Sequence, residues 1–263
     1  MDSGVGGLTV VKEVLRQLPQ EQIIYFGDTA RAPYGPRKPE EVVRFTREIA
    51  DYLTRFKPKM LVLACNTATA VALDDIRSRV DIPVVGVIKP GARAAVKASR
   101  TGRIGVIGTE GTVKSGAYEG ALREISAQLE IVSLACPDLV PLVEAGECDS
   151  PHAWETVRRS LAPLAFGELD CLILGCTHYP FLAAPIAEVM GHSVELISSA
   201  EETVREIGAI LSYQGALAKR EDGAPLHRFF CSGDSAKFRR ITSSWLDEQV
   251  EASTIIWQVP SIG

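Results

Sequence analysis

Two short apolar runs, each followed by a cysteine, constrain this chain more than any other feature. Met60-Leu61-Val62-Leu63-Ala64-Cys65-Asn66-Thr67 is echoed at Cys171-Leu172-Ile173-Leu174-Gly175-Cys176-Thr177-His178. Each run has the length and branching of a strand buried on both faces, and each leads through small polar residues into a helix-like segment. In a parallel α/β sheet, that junction sets the carboxyl end of a strand against the amino end of a helix. Free backbone N–H groups and a partial positive charge collect there, which favours anions and lowers a thiol's pKa. Two such junctions predict two thiols facing one anionic substrate.

The flanking elements repeat in the same order. Ile23-Ile24-Tyr25-Phe26 reads as a strand, with a loop through Pro33, Tyr34 and Gly35 at its carboxyl end. A helix from Pro39 to about Phe56 follows, its first turn carrying Glu40 and Glu41 as the helix dipole prefers. Beyond Cys65 the pattern predicts a helix over 68–80, a strand over 82–88, a break at Lys89-Pro90-Gly91 and an alanine-rich helix over 92–98. From Ile104 the pattern restarts. Ile104 to Thr109 is a strand and its loop, Glu130 to Leu134 answers Ile23 to Phe26, and Leu172 to Leu174 answers Leu61 to Leu63. The spacing from Phe26 to Cys65 nearly equals that from Leu134 to Cys176, so duplicated βαβ halves would set the thiols opposite each other across a pseudo-two-fold axis.

That repeat also requires a strand before Asp2, where the sequence has only Met1. We expect either a native start further upstream or a weakened form, because neighbouring strands would keep unpaired N–H and C=O groups beside a gap in the core. The opening Asp2-Ser3-Gly4-Val5-Gly6-Gly7-Leu8 reads as a tight loop whose bare backbone approaches a ligand at a helix start. It is no nucleotide P-loop, since the Gly-Lys-Ser/Thr ending is missing. After Cys176 the expected elements are a strand over 194–197, a helix over 199–211, an exposed loop over 214–225, a strand over 228–231 and a helix over 238–246. The tail is placed back on the first half, which otherwise has too few elements to cover its sheet. The predicted fold is therefore α/β, with two similar parallel-sheet, three-layer domains related by a pseudo-two-fold. Their expected extents are 1–90 with 200–263, and 91–199, with the active site in the cleft between them.

Composition removes several classes of function. A formal charge of -5 gives no basic face for nucleic acid, and no apolar run approaches the roughly 18 residues of a membrane span. With no signal-peptide pattern at the start, the expectation is a cytoplasmic protein that binds a small molecule, not nucleic acid or membrane. The oligomeric state is left open, a homodimer included. Six cysteines scattered through 263 residues do not form the dense framework of a disulfide-stapled domain. Cys171, Cys176 and His178 invite a metal, yet no C-x-x-C or H-x-x-x-H pair occurs, and a strand starting at Cys171 would point that thiol away from Cys176. No metal site is expected. Cys136, Cys148, Cys171 and Cys231 read as structural or incidental, and a cysteine after an apolar strand is itself often only a small buried hydrophobe.

Five segments carry a family resemblance: Asp2 to Val10, Pro33-Tyr34-Gly35, Ala64 to Ala68, Gly108 to Val113, and Leu174 to Pro180. In order and spacing they resemble the signature segments of glutamate racemases, within the aspartate/glutamate racemase superfamily, over nearly the whole chain. The short apolar strand that the family places before Asp2 is the one departure. The chemistry agrees with the resemblance. Racemising an α-carbon takes one base on one face and one acid on the other, and two thiols of reference pKa about 8.5 can hold opposite protonation states near neutral pH. No lysine motif suggests a pyridoxal Schiff base, so no cofactor is expected. Helix amino ends with Asn66, Thr67, Thr109 and Thr177 could then hold the α-carboxylate as charge develops on it.

The resemblance implies the individual roles. Cys65 and Cys176 would be the acid–base pair, Cys65 acting on the D-enantiomer and Cys176 on the L-enantiomer. Asp2 would assist near Cys65 and His178 would assist Cys176, with Glu144 as a further acid–base group. Without the resemblance, Glu144 reads as a solvated helix residue. Ser3, Tyr34 and Gly35 would hold the side-chain carboxylate, with Pro33 and Thr112 in the same substrate-binding set. The implied product is D-glutamate for peptidoglycan. Two other readings stay open: a related aspartate racemase or decarboxylating lyase, and a binding protein that has lost activity. Lyases of this fold keep one cysteine, so the pair favours racemisation.

Overall fold

The computed structural model describes residues 1–164, 168–219, 225–246 and 252–254. Most of the charged centre of the expected 214–225 loop, Arg220 to Gly223, lies outside these residues. The first run of elements is α1 (Leu8–Gln17), β1 (Ile24–Gly27), α2 (Pro39–Thr54), β2 (Leu61–Leu63), α3 (Asn66–Arg79), β3 (Val84–Gly86) and α4 (Ile88–Ala98). The second is β4 (Arg103–Gly108), α5 (Glu110–Lys114), α6 (Ala117–Ile125), β5 (Glu130–Ala135), α7 (Leu139–Ala145), α8 (Pro151–Leu161), β6 (Cys171–Gly175), α9 (Ala183–Met190), β7 (Glu195–Ile197) and α10 (Ser199–Tyr213). The chain closes with β8 (Arg228–Cys231), α11 (Ser235–Leu246) and β9 (Ala252–Thr254).

Among the described residues all the strand pairs are parallel, which requires helical crossovers and leaves helices on the sheet faces. One sheet has the order β5-β4-β6-β7. The other side of the molecule holds β9-β8-β1 and β2-β3, joined by the first two residues. Asp2 N–H donates to Phe26 O at 2.9 Å, and Ala64 N–H donates to Met1 O at 2.9 Å. Met1 and Asp2 thus stand between β1 and β2 where β4 stands between β5 and β6, so β1, β2 and β3 follow the order of β5, β6 and β7. Beside them, between β1 and β2, lies a cavity of about 350 Å³.

Period-two alternation sorts the core into layers. Leu172 and Leu174 of β6 face α7, α8 and α9, burying Leu142, Val157, Leu161 and Ile186. Cys171 and Ile173 face the other way, against Ala92, Ala95 and Leu122 of α4 and α6. On the other sheet, Phe26, Leu61 and Leu63 meet Ile49, Leu53 and Ile76 of α2 and α3, while Val10 of α1 packs with Val204 and Ile207 of α10. Each fully buried side chain of this size contributes about 1.5–3 kcal/mol.

Three expected boundaries are corrected. The break at Lys89-Pro90-Gly91 is no break: α4 starts at Ile88 and runs through it. Pro90 falls in the first turn, where N–H groups have no helical acceptor and its missing donor costs nothing. That early start also shortens the expected strand over 82–88 to β3. α3 begins at Asn66, two residues before the expected Ala68, because Cys65 itself caps it and takes the Ala68 N–H on its sulfur at 3.5 Å.

Candidate active site

Both cysteines end buried strands, and the folding of those ends builds the site. Cys65 follows β2, is 5% exposed, and sits at the amino end of α3. Its thiol points to Ser3 Oγ at 3.6 Å. Cys176 follows β6 at 6% exposure and lies 3.6 Å from His178 Nδ1, whose Nε2 lies 2.7 Å from Glu144 Oε1. The two sulfurs line one small enclosed space with Ser3, Pro33, Tyr34, Gly35, Asn66, Thr67, Thr109, Thr177 and His178. Val140, which nothing in the sequence singled out, completes the wall. Among these lining residues there is no lysine.

Three expected residues stand behind that wall. Thr112 hydrogen-bonds Thr67 at 3.2 Å and Thr109 at 3.1 Å, and Glu144 reaches the site only through His178. Asp2, fully buried, accepts from Gly4 N–H at 3.0 Å and from Thr177 Oγ at 3.1 Å. The glycines of the opening loop do permit a close backbone approach, but to protein groups. A Cβ on Gly6 would come within 2.4 Å of Thr177 Oγ1 and 2.5 Å of His178 Nδ1. The same holds at Gly35, where a Cβ would reach 2.6 Å from the Thr109 Cβ.

The electrostatics separate the two thiols. Burial pushes the Cys65 thiol up to about 12, with the Asp2 charge adding to the effect and the Ala68 N–H opposing it. His178 moves the other way from what burial alone would do. Its burial disfavours the imidazolium, but hydrogen bonds and charge from Cys176 and Glu144 outweigh it and raise the pKa well above the ordinary histidine value. Glu144 is pushed up by burial and drawn net downward by its hydrogen bond to His178 and the charge there. An imidazolium donating from both nitrogens, to the Cys176 sulfur and the Glu144 carboxylate, fits these distances.

The site also contains a donor in want of an anion. Asn66 is 3% exposed, Tyr118 Oη donates to its Oδ1 at 2.7 Å, and its Nδ2 has no partner among the described residues. A buried unpaired N–H of this kind costs about 1–3 kcal/mol, which a bound carboxylate would relieve. The enclosed space holds only about 10 Å³, enough for about one water. Around it run hydrogen bonds from residues before β4 to residues after it: Thr177 to Asp2, Gly111 N–H to Gly35 O at 2.9 Å, Tyr118 to Asn66, and Thr67 to Thr109 at 2.9 Å.

Fold and site together define a class: duplicated parallel α/β proteins in which each half lends one cysteine, from equivalent strand ends, to a shared closed site. The chain belongs to the Asp/Glu/hydantoin racemase family, which matches residues 3–207. It is 52% identical to a glutamate racemase of Exiguobacterium sibiricum over 97% of this chain and 94% of that protein. The crystal structure of a Bacillus anthracis glutamate racemase superposes with a TM-score of 0.93 at 48% identity, covering 97% of this chain and 95% of that one. A Francisella tularensis glutamate racemase, crystallised with D-glutamate, superposes at 0.90 with 30% identity, covering 99% of this chain and 97% of that one. Among the described residues, no helix is long and apolar enough to cross a membrane.

Proposed function

We infer that the chain interconverts L- and D-glutamate by acid–base chemistry between Cys65 and Cys176, without an organic cofactor, and so supplies D-glutamate for peptidoglycan. The observation that carries this reading is the pair of sulfurs at equivalent strand ends lining one closed space. With L-glutamate bound, the Cys176 thiolate takes the α-proton while His178 donates to the sulfur and is held by Glu144. The Cys65 thiol gives a proton to the opposite face of the carbanion. Product D-glutamate leaves Cys65 as thiolate and Cys176 as thiol, and the reverse reaction exchanges the roles.

Asn66 Nδ2, the free N–H groups at the amino end of α3, and the hydroxyls of Thr67, Thr109 and Thr177 are suited to the α-carboxylate, where negative charge grows. Ser3, Pro33, Tyr34 and Gly35 form the side of the space suited to the distal carboxylate, with Thr112 bracing Thr67 and Thr109. Asp2 takes its place beside Cys65 by charge and across to Thr177 by hydrogen bond. In domain terms, residues 1–90 with 200–263 are assigned to one α/β unit and 91–199 to the other, supported by β1, β2, β3 and β8 lying apart from β4 to β7 in the sheet order.

The test is polarimetric or circular-dichroism assay of both enantiomers of glutamate and of aspartate, with no pyridoxal phosphate added. Racemisation of glutamate from either side is expected. Inert enantiomers of both amino acids would leave only a binding protein, and faster loss of aspartate signal would move the substrate assignment.

A further inference from the structure

Asn66 brings to the site an amide whose two ends act oppositely on an anion. Its Nδ2 carries hydrogens and attracts a carboxylate, its Oδ1 carries lone pairs and repels one, and the two ends are so alike in shape that packing alone does not choose between them. A hydrogen bond has to make that choice.

Tyr118, near the start of α6 and so in the second half of the chain, makes it. Its Oη donates to Asn66 Oδ1 at 2.7 Å, across 52 positions of sequence, with both side chains buried. The oxygen is thereby tied to the protein. Nδ2, which has no partner among the described residues, is the end left for a ligand in the enclosed space that Asn66 lines together with both sulfurs.

The phenol has little freedom to do otherwise. Tyr118 is 2% exposed and belongs to the core that holds Ala92, Ala95 and Ile173. Two glycines make room for its ring: a Cβ on Gly175, next to Cys176, would come within 3.0 Å of Tyr118 Cε2, and one on Gly91 within 3.2 Å of its Oη. Burial pushes the phenol's pKa up, and a hydrogen bond from Ser199, at the start of α10, opposes that push. A phenol held neutral keeps its proton to donate, and one that accepts from a serine donates more strongly in turn. Ser199, Tyr118 and Asn66 thus form one chain of donors that ends in an open N–H.

We propose that Tyr118 is a positioning residue for the α-carboxylate: by holding Asn66 Oδ1 it presents Nδ2 to the anion, so that the second half of the chain orients a recognition group carried by the first. This rests on the reading of glutamate as substrate, and it adds a residue outside the wall of the site. Negative charge on the α-carboxylate grows as the α-proton leaves. An N–H turned toward it therefore helps the transition state more than the ground state, and losing it falls on kcat as well as on KM.

The experiment is a double-mutant cycle on Tyr118→Phe and Asn66→Ala. Tyr118→Phe removes one oxygen and keeps the ring, and circular dichroism with the thermal midpoint checks that the fold survives. Asn66→Ala is expected to lower kcat/KM by about 10²-fold, and Tyr118→Phe by about tenfold, mostly in kcat. The double variant should be no slower than Asn66→Ala alone, because without the amide the phenol has nothing to orient. A Tyr118 that only supports the fold would instead multiply its own loss onto that of Asn66. Such independent losses, or a Tyr118→Phe chain within about twofold of the unaltered one, would overturn the proposal. The same cycle on calorimetric affinity for racemic glutamate needs no turnover. A chain that binds glutamate without racemising it would end the assignment of an activity while the coupling in binding still decides the role of Tyr118, and a chain that does neither overturns both.

Discussion

Truncating Cys65 to alanine tests the two-thiol reading where it is most exposed to failure. The sulfur is buried against Ser3 Oγ at 3.6 Å and the Ala68 N–H at 3.5 Å. Its loss removes one heavy atom and a weak helix cap, about 1–2 kcal/mol of stability at most, so the fold survives. The kinetic loss is far larger. A positioned general acid or base contributes about 10²–10⁴-fold, and a carbanion with no proton donor on its second face cannot invert. We expect racemisation to fall by at least about 10³-fold, equivalent to about 4 kcal/mol of barrier.

Thermodynamics sharpens the test. Enantiomers have equal free energies in water, so kcat/KM must fall by the same factor in both directions, and the division of labour has to be sought in partial reactions. Cys65→Ala keeps Cys176, His178 and Glu144, and the Glu144 side chain is 25% exposed, which gives that sulfur a proton route to solvent. In D2O the variant should therefore place deuterium in L-glutamate without inverting it and leave D-glutamate protiated, while Cys176→Ala should do the opposite. Circular dichroism reads inversion and proton NMR reads exchange. Racemisation within tenfold of the unaltered chain, or exchange into D-glutamate by Cys65→Ala, would refute the reasoning.

Two further outcomes are expected. In D2O the unaltered chain should give α-deuterated D-glutamate from protiated L-glutamate while the recovered L-glutamate is still protiated, because the proton leaves on one sulfur and arrives from the other; mass spectrometry of early time points checks this, and product retaining the original hydrogen means a single base. Glu144→Gln removes a charge that keeps His178 protonated, so kcat should fall by about 10²-fold and the limb of the pH–rate profile set by His178 should move to lower pH; an unmoved profile leaves Glu144 outside the relay.

Period and punctuation made most of the frame readable. Leu61 to Leu63 and Leu172 to Leu174 carry their own burial signal, and the cysteines after them needed only the rule that ligands gather at carboxyl ends of parallel strands. The long-range hydrogen bonds around the site carried no such signal. Thr177 meets Asp2 across 175 residues of chain, and Tyr118 orients Asn66 across 52. A threonine or tyrosine of that kind looks locally like any other. Glu144 on α7 reads as a surface acid until His178 is brought to 2.7 Å from it. The start of α4 was hidden by a proline, whose cost depends on its place in the turn and not on its presence.

The duplicated backbone and the unequal thiols answer different needs of the same reaction. Equivalent strand ends bring two sulfurs to one space, as removal and delivery of a proton on opposite faces require. Yet the halves dress them differently. Cys65 caps a helix of 14 residues beside Ser3 and Asp2, whereas Cys176 runs into a short turn at Tyr179–Leu182 and keeps His178 and Glu144. Burial pushes the Cys65 thiol up to about 12, which favours its thiol form, the form expected to complete the conversion of L-glutamate. Acting on D-glutamate requires that proton to leave first, at about 1.4 kcal/mol for each unit between the working pH and that value, before substrate charges offset it. Equal kcat/KM in the two directions is compulsory, but equal kcat is not. The asymmetry of the thiols is therefore expected to appear as paired differences in kcat and KM between the enantiomers, and initial rates from each pure enantiomer that gave the same kcat and KM would contradict it.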